Sequence, residues 1–480
     1  MYRRTQGLDL GIIIVGAGIV LLAVGVGTSL AANKNYEDND IRIAVERNLY
    51  FDESVPHNRI DVSTKEGIVT LTGTSSSLYA KEKAVRQAKS VKGVRAVVDQ
   101  IKMTPANRKD SEISGDVSTA LLLDPATDSF EVKATTSDGI VTLQGTVQSW
   151  AEKNLAEVVA KGVKGVKGVK NDIRLQLKTE RSDREIEKDI EQRFKNDVWL
   201  TNDSLKINVQ DGVVKLSGTV GSALEKARAT GDAYVLGVKS VENENLEVDW
   251  WVLENMRRTS YPNRTDEEIK RAVKDAFLYD PRVWSFDPLV TVRYGVVTLT
   301  GVVDNLKAKT AAEKDAENTV GVKVVKNYLK VRPVTPIPDA TIAKNIRTGF
   351  SIDPLIERIE IRTSVYNGVV YLHGTVDSYS EKWRAQDIAS RTNGVVEVRN
   401  HLIVDDYWTW VADWEIEDEI EDQLWWSPFV DANEVNVSVE DGVATLKGTV
   451  DSYFERSMAI ENALEGGAKS VIDDLTVERG

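Results

Sequence analysis

One seven-residue phrase occurs six times in this chain: Gly, two apolar residues, any residue, Leu, any residue, Gly. Its copies begin at Gly67, Gly139, Gly212, Gly295, Gly368 and Gly442. A pattern returning at such regular spacing restricts the chain to one supersecondary unit repeated along its length. Asp138, Asp211, Asn367 and Asp441 precede the first Gly in four copies; Glu66 and Tyr294 stand there in the other two. Asp-Gly and Asn-Gly mark a tight hairpin turn, because primed turns need positive φ at both central residues. The phrase is therefore the second strand of a hairpin. Val69, Leu71 and their equivalents share one face, and the closing Gly is expected to end the strand.

The flanks repeat as regularly. Four residues past the closing Gly stands a helix N-cap candidate: Ser77, Ser149, Ser222, Asn305, Ser378 or Ser452. Glu152, Glu225, Glu381 and Glu455 follow three residues later and complete the sequence pattern of a capping box. The helix so begun runs to Gly93, Gly165, Gly237, Gly321, Gly394 or Gly467, where a helix stop belongs. A third strand follows, with Asp99, Asn171, Asn243, Asn327, Asn400 or Asp473 six residues past that Gly. Ahead of each hairpin, apolar residues recur four apart, as in Ile41, Val45, Leu49 and Ile186, Ile190, Phe194. That stripe predicts an amphipathic helix seeking a sheet face. The fold class is α+β: six tandem αββαβ modules, each a small three-stranded sheet with two helices on one face.

The order αββαβ, the G-[VI]-V-x-L-x-G core and the later G-V-x-x-V-x-[ND] strand resemble the BON domain, and all six units carry the match. The resemblance implies a non-enzymatic, exported protein. It implies work on envelope phospholipid or envelope proteins, in support of envelope integrity under osmotic stress. Copy 4 departs from the pattern with Val302 where others have Thr, copy 1 with Ser75 where others have Val, and copy 2 with an expanded KGVKGVKGVK at 161–170.

Residues 1–32 place Arg3 and Arg4 before an uncharged apolar run from Leu10 to Gly27. This reads as a signal peptide, with a small-x-small site ending at Ala31, or as an uncleaved N-terminal membrane anchor. Either way the arginines stay cytoplasmic and the repeats are exported to the periplasm, soluble or tethered to the inner membrane. Val15-Gly16-Ala17-Gly18 imitates a dinucleotide-binding turn, but Leu21 occupies the third Gly position. The expected modules are 36–104, 110–178, 182–249, 265–332, 339–404 and 413–480. Short joints suggest that sequence neighbours lean on one another as in repeat arrays. At roughly 28 Å per unit, six in line make a rod of about 170 Å.

Charge and aromatics supply the candidate surfaces. Residues 413–480 hold 18 acidic and 4 basic residues, the same net −14 as the whole chain. Glu415, Glu417, Asp418, Glu419, Glu421 and Asp422 form either a solvated helix face or an end that is repelled from anionic lipid or docks on a basic partner. Lys161, Lys164, Lys167 and Lys170 are either exposed turn lysines or a local contact for anionic lipid. Trp250 and Trp251, and Trp408 and Trp410, either fill seams between modules or form a membrane or protein docking belt. Trp199 and Trp284 are expected to close single module cores.

Chemistry finds little purchase. The chain has no cysteine, so disulfides and thiolate metal sites are excluded. His57, His373 and His401 are far apart in sequence, and His373 takes a polar strand position that other copies fill with Thr, Gln, Ser or Lys. No nucleophile elbow, HExxH, P-loop or EF-hand loop occurs. A negative net charge argues against nucleic acid. The reading is a non-enzymatic binding protein with no catalytic residue, cofactor or metal. The alternative is a periplasmic chaperone-like or homo-oligomeric scaffold protein.

Overall fold

Each hairpin turn is built as its residues require. The residue before the first Gly has φ between 49° and 53° in all six copies, and the Gly itself lies between 72° and 79°. Two N–H groups at the tip then point outward together, and one carboxylate takes both. Asp38, the first residue of the first helix, accepts from Glu66 N at 2.8 Å and Gly67 N at 2.9 Å. Asp110, Asp183, Asp266, Asp339 and Asp413 do the same in their own modules. This clamp fixes the hairpin to the helix that covers it.

In the computed structural model the described residues are 36–56, 59–127, 130–176, 181–200, 204–250, 252, 264–283, 286–356, 361–405 and 411–478. The leader and its signal-or-anchor choice lie outside them. In module 1 the helix Asp38–Phe51 precedes strands Ile60–Lys65 and Ile68–Ser75, helix Leu78–Lys89 and strand Ala96–Met103. The other five modules repeat this order. Each sheet runs first–second–third strand, with an antiparallel hairpin and a parallel third strand reached through the second helix. The six sheets stay separate. Module 4 adds a small pairing of Val302–Val303 with Lys330–Val331.

The closing Gly does not end the strand. In modules 1, 2, 3, 5 and 6 the strand runs two residues past it. The Gly is there because the chain entering the first strand crosses it. A Cβ on Gly73, Gly145, Gly218 or Gly448 would lie 1.9–2.1 Å from a carbonyl oxygen. In module 4, where the second strand breaks at Gly301, the nearest atom would be 3.8 Å away.

All six predicted N-caps accept a hydrogen bond from the N3 backbone N–H. Glu152 closes a capping box on Ser149, whereas Glu225, Glu381 and Glu455 reach one residue further back, to Gly221, Asp377 and Asp451. The Asn or Asp on the third strand is a second clamp. Asn171 donates to Lys153 O at 2.9 Å and accepts from Ile173 N, and Asn327 and Asn400 repeat both bonds. Each core lies between helices and one sheet face. In module 1 it joins Ile41, Val45 and Leu49 to Val69, Leu71 and Ile101 across Ala84 and Ala88. Burying one such Val, Leu or Ile contributes about 1.5–3 kcal/mol. The small alanines let the second helix lie close to the sheet.

The modules do not stand in a rod. Residues 36–480 are one compact unit in which modules pair at long range. The device is the orphan carbonyl at the end of the first helix in modules 2, 3, 5 and 6. Lys164 N of module 2 donates to Ile352 O of module 5 at 2.7 Å, and Asn393 N of module 5 returns the bond to Leu123 O at 3.4 Å. Val320 N of module 4 donates to Asn196 O of module 3, and Lys92 N of module 1 to Trp426 O of module 6. The pairs are thus 1 with 6, 2 with 5, and 3 with 4.

A second set of contacts joins 1 to 5, 2 to 4 and 3 to 6. Arg384 lies over Tyr79, Lys307 reaches Asp124 at 2.5 Å, and Trp199 packs on Phe454 with ring centroids 4.7 Å apart. In the last two, the N-terminus of a second helix meets the end of a first helix, and between modules 5 and 1 Ser380 N meets Glu53 in the same way. Modules 1, 2 and 3 also touch one another, through Lys161 with Glu82, Trp150 with Val238 and Ala223 in the core of module 1. Modules 4, 5 and 6 do so in part: Leu306 packs on the core of module 5 and Tyr453 on that of module 4. Two groups of three are therefore joined by two sets of three contacts, the internal pattern of a dihedral hexamer written into one chain.

Candidate functional site

The residues nominated from sequence divide between seams and surface. Lys161 ends the second helix of module 2 and is held by Glu82 at 2.6 Å and Glu157 at 2.8 Å. Burial opposes its charge, but these two carboxylates raise its pKa above the usual lysine value. Lys164 sits in the turn, where its N–H bonds Ile352 and its carbonyl accepts from Arg108. Lys167 is exposed and its stem covers Gly139. Lys170 is exposed on the third strand, 2.9 Å from Asp172. The four lysines thus occupy a helix end, a turn and a strand.

Trp250 is half-buried against Tyr36 of module 1, with centroids 5.2 Å apart. Trp251, Trp408, Trp410 and Trp284 lie outside the described residues. Trp199 does not close a single core: it packs on both Phe429 and Phe454 of module 6. The acidic first helix of module 6, Asp413–Trp426, finds a basic partner inside the chain. Arg47 of module 1 reaches Asp418, Glu419 and Asp422 together. Glu415 and Glu421 remain exposed. His373 and His401, distant in sequence, are register partners on neighbouring strands of module 5, exposed and stacked 5.1 Å apart. That pairing was legible once the third strand was aligned parallel to the second.

Ionisable groups gather in the seams. A cavity of about 760 Å³ lies among modules 2, 3 and 4, lined by Arg193, Arg228, Arg282, Asp197, Asp280 and Asp315 among others. Arg228 holds Asp197 at 2.6 Å and Asp232 at 3.1 Å, and Arg193 holds Asp232 at 2.8 Å. Burial pushes Asp197 up, against the pull of Arg228. Burial also opposes the charge of Asp232, yet Arg228 and Arg193 hold it below the usual carboxylate range. Glu225, fully buried at its cap, is pushed up to about 8 by burial. A related cavity of about 580 Å³ lies among modules 1, 5 and 6, with Lys83, Glu465 and Trp383 on its walls. Burial raises Glu465 to about 7. Sequence reasoning missed these groups, because the charges that meet lie on different helices, as Asp197 and Arg228 do, or in different modules, as Glu465 and Lys83 do.

Among the described residues no group of three or more His, Cys, Asp or Glu is placed to hold a metal ion. Among them, too, no helix is long and apolar enough to cross a membrane. The modules present outward the sheet face opposite their helices, where exposed and partly buried residues alternate along several strands. A surface of this kind suits reversible binding.

Comparison with known proteins agrees with this architecture. BON domain matches cover residues 37–105, 109–176, 182–249, 265–333, 338–406 and 412–479. Osmotically-inducible protein Y of Escherichia coli is 36% identical over 145 residues, covering 29% of this chain and 72% of that protein. Outer membrane lipoprotein DolP of Haemophilus influenzae is 29% identical over 146 residues, covering 29% of this chain and 75% of that one. A solved chain of CdsD, a structural protein of the type III secretion system of Chlamydia trachomatis, is 13% identical with a TM-score of 0.13. It covers 46% of this chain and 99% of its own, and at that score carries no argument. With six matched modules that fold as six αββαβ units, the chain belongs to the BON domain family.

Proposed function

We propose that this is an exported, non-enzymatic binding protein of the periplasm that engages anionic phospholipid of the cell envelope and supports envelope integrity under osmotic stress. The similarity to an osmotically inducible protein and to an outer membrane lipoprotein supports the setting. The arrangement of the modules supports binding as the task. Several helix ends are occupied by neighbouring modules, and the outward sheet faces are among the surfaces left for a partner. The same occupancy disfavours the scaffold alternative, since the pairing surfaces that would join copies are satisfied within one chain.

The test is flotation of the purified chain with vesicles of equal phosphatidylglycerol and phosphatidylcholine. Binding is expected at low salt and should weaken as salt screens the surface charges. Absence of binding to anionic vesicles at low salt sinks the phospholipid reading.

A further inference from the structure

The six outer sheet faces are not equivalent, and one stands apart. Five carry at least one carboxylate on the strands themselves: Asp61, Glu131, Glu242, Glu397 and Glu440 are examples from modules 1, 2, 3, 5 and 6. The strands of module 4 carry none, and its nearest carboxylate on that side is the exposed Asp287, two residues ahead of Leu289 at the repeat position of Glu131. The strands present Arg293, Lys326 and Lys330 instead. In a chain of net charge −14 this is a local reversal of sign.

The same face holds large apolar side chains in water. Leu289 is 57% exposed, Val302 49% and Tyr328 62%. Tyr294 projects from the hairpin tip at 78% exposure. Val302 is register partner of Lys330, and Thr298 of Lys326, so each cation lies beside an uncharged residue of the neighbouring strand. The Asp266 carboxylate nearest the tip is already occupied by the Tyr294 and Gly295 N–H groups.

Tyr294 is the most telling of them. It has φ 53°, in the left-handed region where bulky residues are outliers and Asn or Asp is favoured. Three other modules put Asp there and one puts Asn. Val302 likewise replaces the Thr of most other copies. Two departures from the shared pattern, Tyr294 and Val302, thus fall on the one sheet without acid on its strands, and the first strains the backbone. Strain kept at an exposed position points to function rather than folding.

We propose that the outer sheet face of module 4 is the surface by which this protein lies on an anionic phospholipid bilayer. This rests on the phospholipid reading above and adds the place. The three cations meet lipid phosphates, the two tyrosines sit at headgroup depth, and Leu289 and Val302 enter the acyl boundary. A nucleic acid would satisfy the cations but leave Leu289 and Val302 with nothing to gain.

The test compares full-length variants in the same flotation measurement. Neutralising Arg293, Lys326 and Lys330 together to Gln should lower partitioning about a hundredfold, from about fivefold per cation. Lys167→Gln with Lys170→Gln on module 2 is the control and should cost less than tenfold, because Asp172 already neutralises one of the pair. Tyr294→Asn, which installs a residue that module 5 uses at this turn, should keep the fold and weaken binding several-fold. If wild type binds and both module 4 variants bind equally well, this surface is wrong while the phospholipid reading stands. If module 2 and module 4 variants lose binding equally, the assignment to one face is also wrong. If wild type binds no anionic vesicle, both readings fall.

Discussion

Modules 4 and 6 share the hairpin clamp, the helix cap and the buried Leu of the repeated phrase, Leu299 and Leu446, and differ most in where their charges go. Module 6 keeps Asp441 at its turn, as the backbone prefers, and its acidic helix is drawn against Arg47 of module 1. Module 4 puts Tyr294 at that turn and turns a cationic, apolar face to water. Positions alike in the six copies make the module; positions where a copy departs decide whether its surface joins the assembly or meets a partner.

That division predicts equal losses at shared positions. Leu299→Ala and Leu446→Ala each remove a buried Leu beside a close-packed helix, and each should cost about 2–5 kcal/mol. Chemical denaturation of the two variants should give losses within about 1 kcal/mol of each other, given similar sites. A much smaller loss in module 4 would show that its core is not equivalent and break the comparison.

The next effect belongs to module 6 alone. Arg47→Ala leaves Glu419, whose side chain has no exposure, without its cation, and should cost about 2 kcal/mol, since Arg47 is itself a third exposed. Burial raises Glu419 to about 7 even with Arg47 present. A carboxyl raised in the folded state binds its proton more tightly there than in the unfolded chain. Its penalty is therefore absent below the unfolded value near 4.3, and grows as pH rises through 7. Thermal midpoints should fall between pH 5 and 8, more in Arg47→Ala, and Glu419→Gln should reduce the slope to the part that Glu225 and Glu465 supply. An unchanged slope in Glu419→Gln would remove Glu419 as a source. Below pH 4 the order reverses. Asp38 and Asp266 are held below the usual carboxylate range by their paired backbone N–H donors, so protonating them releases the hairpin clamps.

The fold of one module was legible because its devices are local. Period, turn chemistry and caps each lie within a few residues, and six copies repeat the message. The clamp of Asp38 on Glu66 and Gly67 was equally available, as an Asp at a fixed distance ahead of each turn, and was overlooked. The arrangement of modules was not legible. It rests on backbone groups that every sequence carries, such as Ile352 O taking Lys164 N, and on charges far apart in the chain, such as Arg47 and Glu419. Those pairings broke the expectation of a rod and moved Trp199 from a single core to a seam. The lysines at 161–170 drew notice as a run, while Arg293, Lys326 and Lys330 are scattered and share a face only after the strands are paired.

The smallest predicted effect isolates the turn itself. Tyr294 and Asp441 have φ of 53° and 52°, and each uses only its backbone N–H in the clamp, so exchanging their side chains leaves that hydrogen bond in place. What changes is the fit of the side chain to the left-handed region, together with the contact of the Arg293 guanidinium that lies over the Tyr294 ring, 5.5 Å from its centroid. Tyr294→Asp should stabilise by about 0.5–1 kcal/mol, and Asp441→Tyr should destabilise by a similar amount, because Asp tolerates this conformation better than a bulky residue. The two changes should nearly cancel in the double variant, since the turns lie in different modules. Opposite shifts in thermal midpoint, with vesicle binding weakened by the first change, would separate what module 4 gives up in stability from what it gains at its surface. Shifts of the same sign would mean that Tyr294 is held by contacts that favour the fold, and the inference from strain to function would fail.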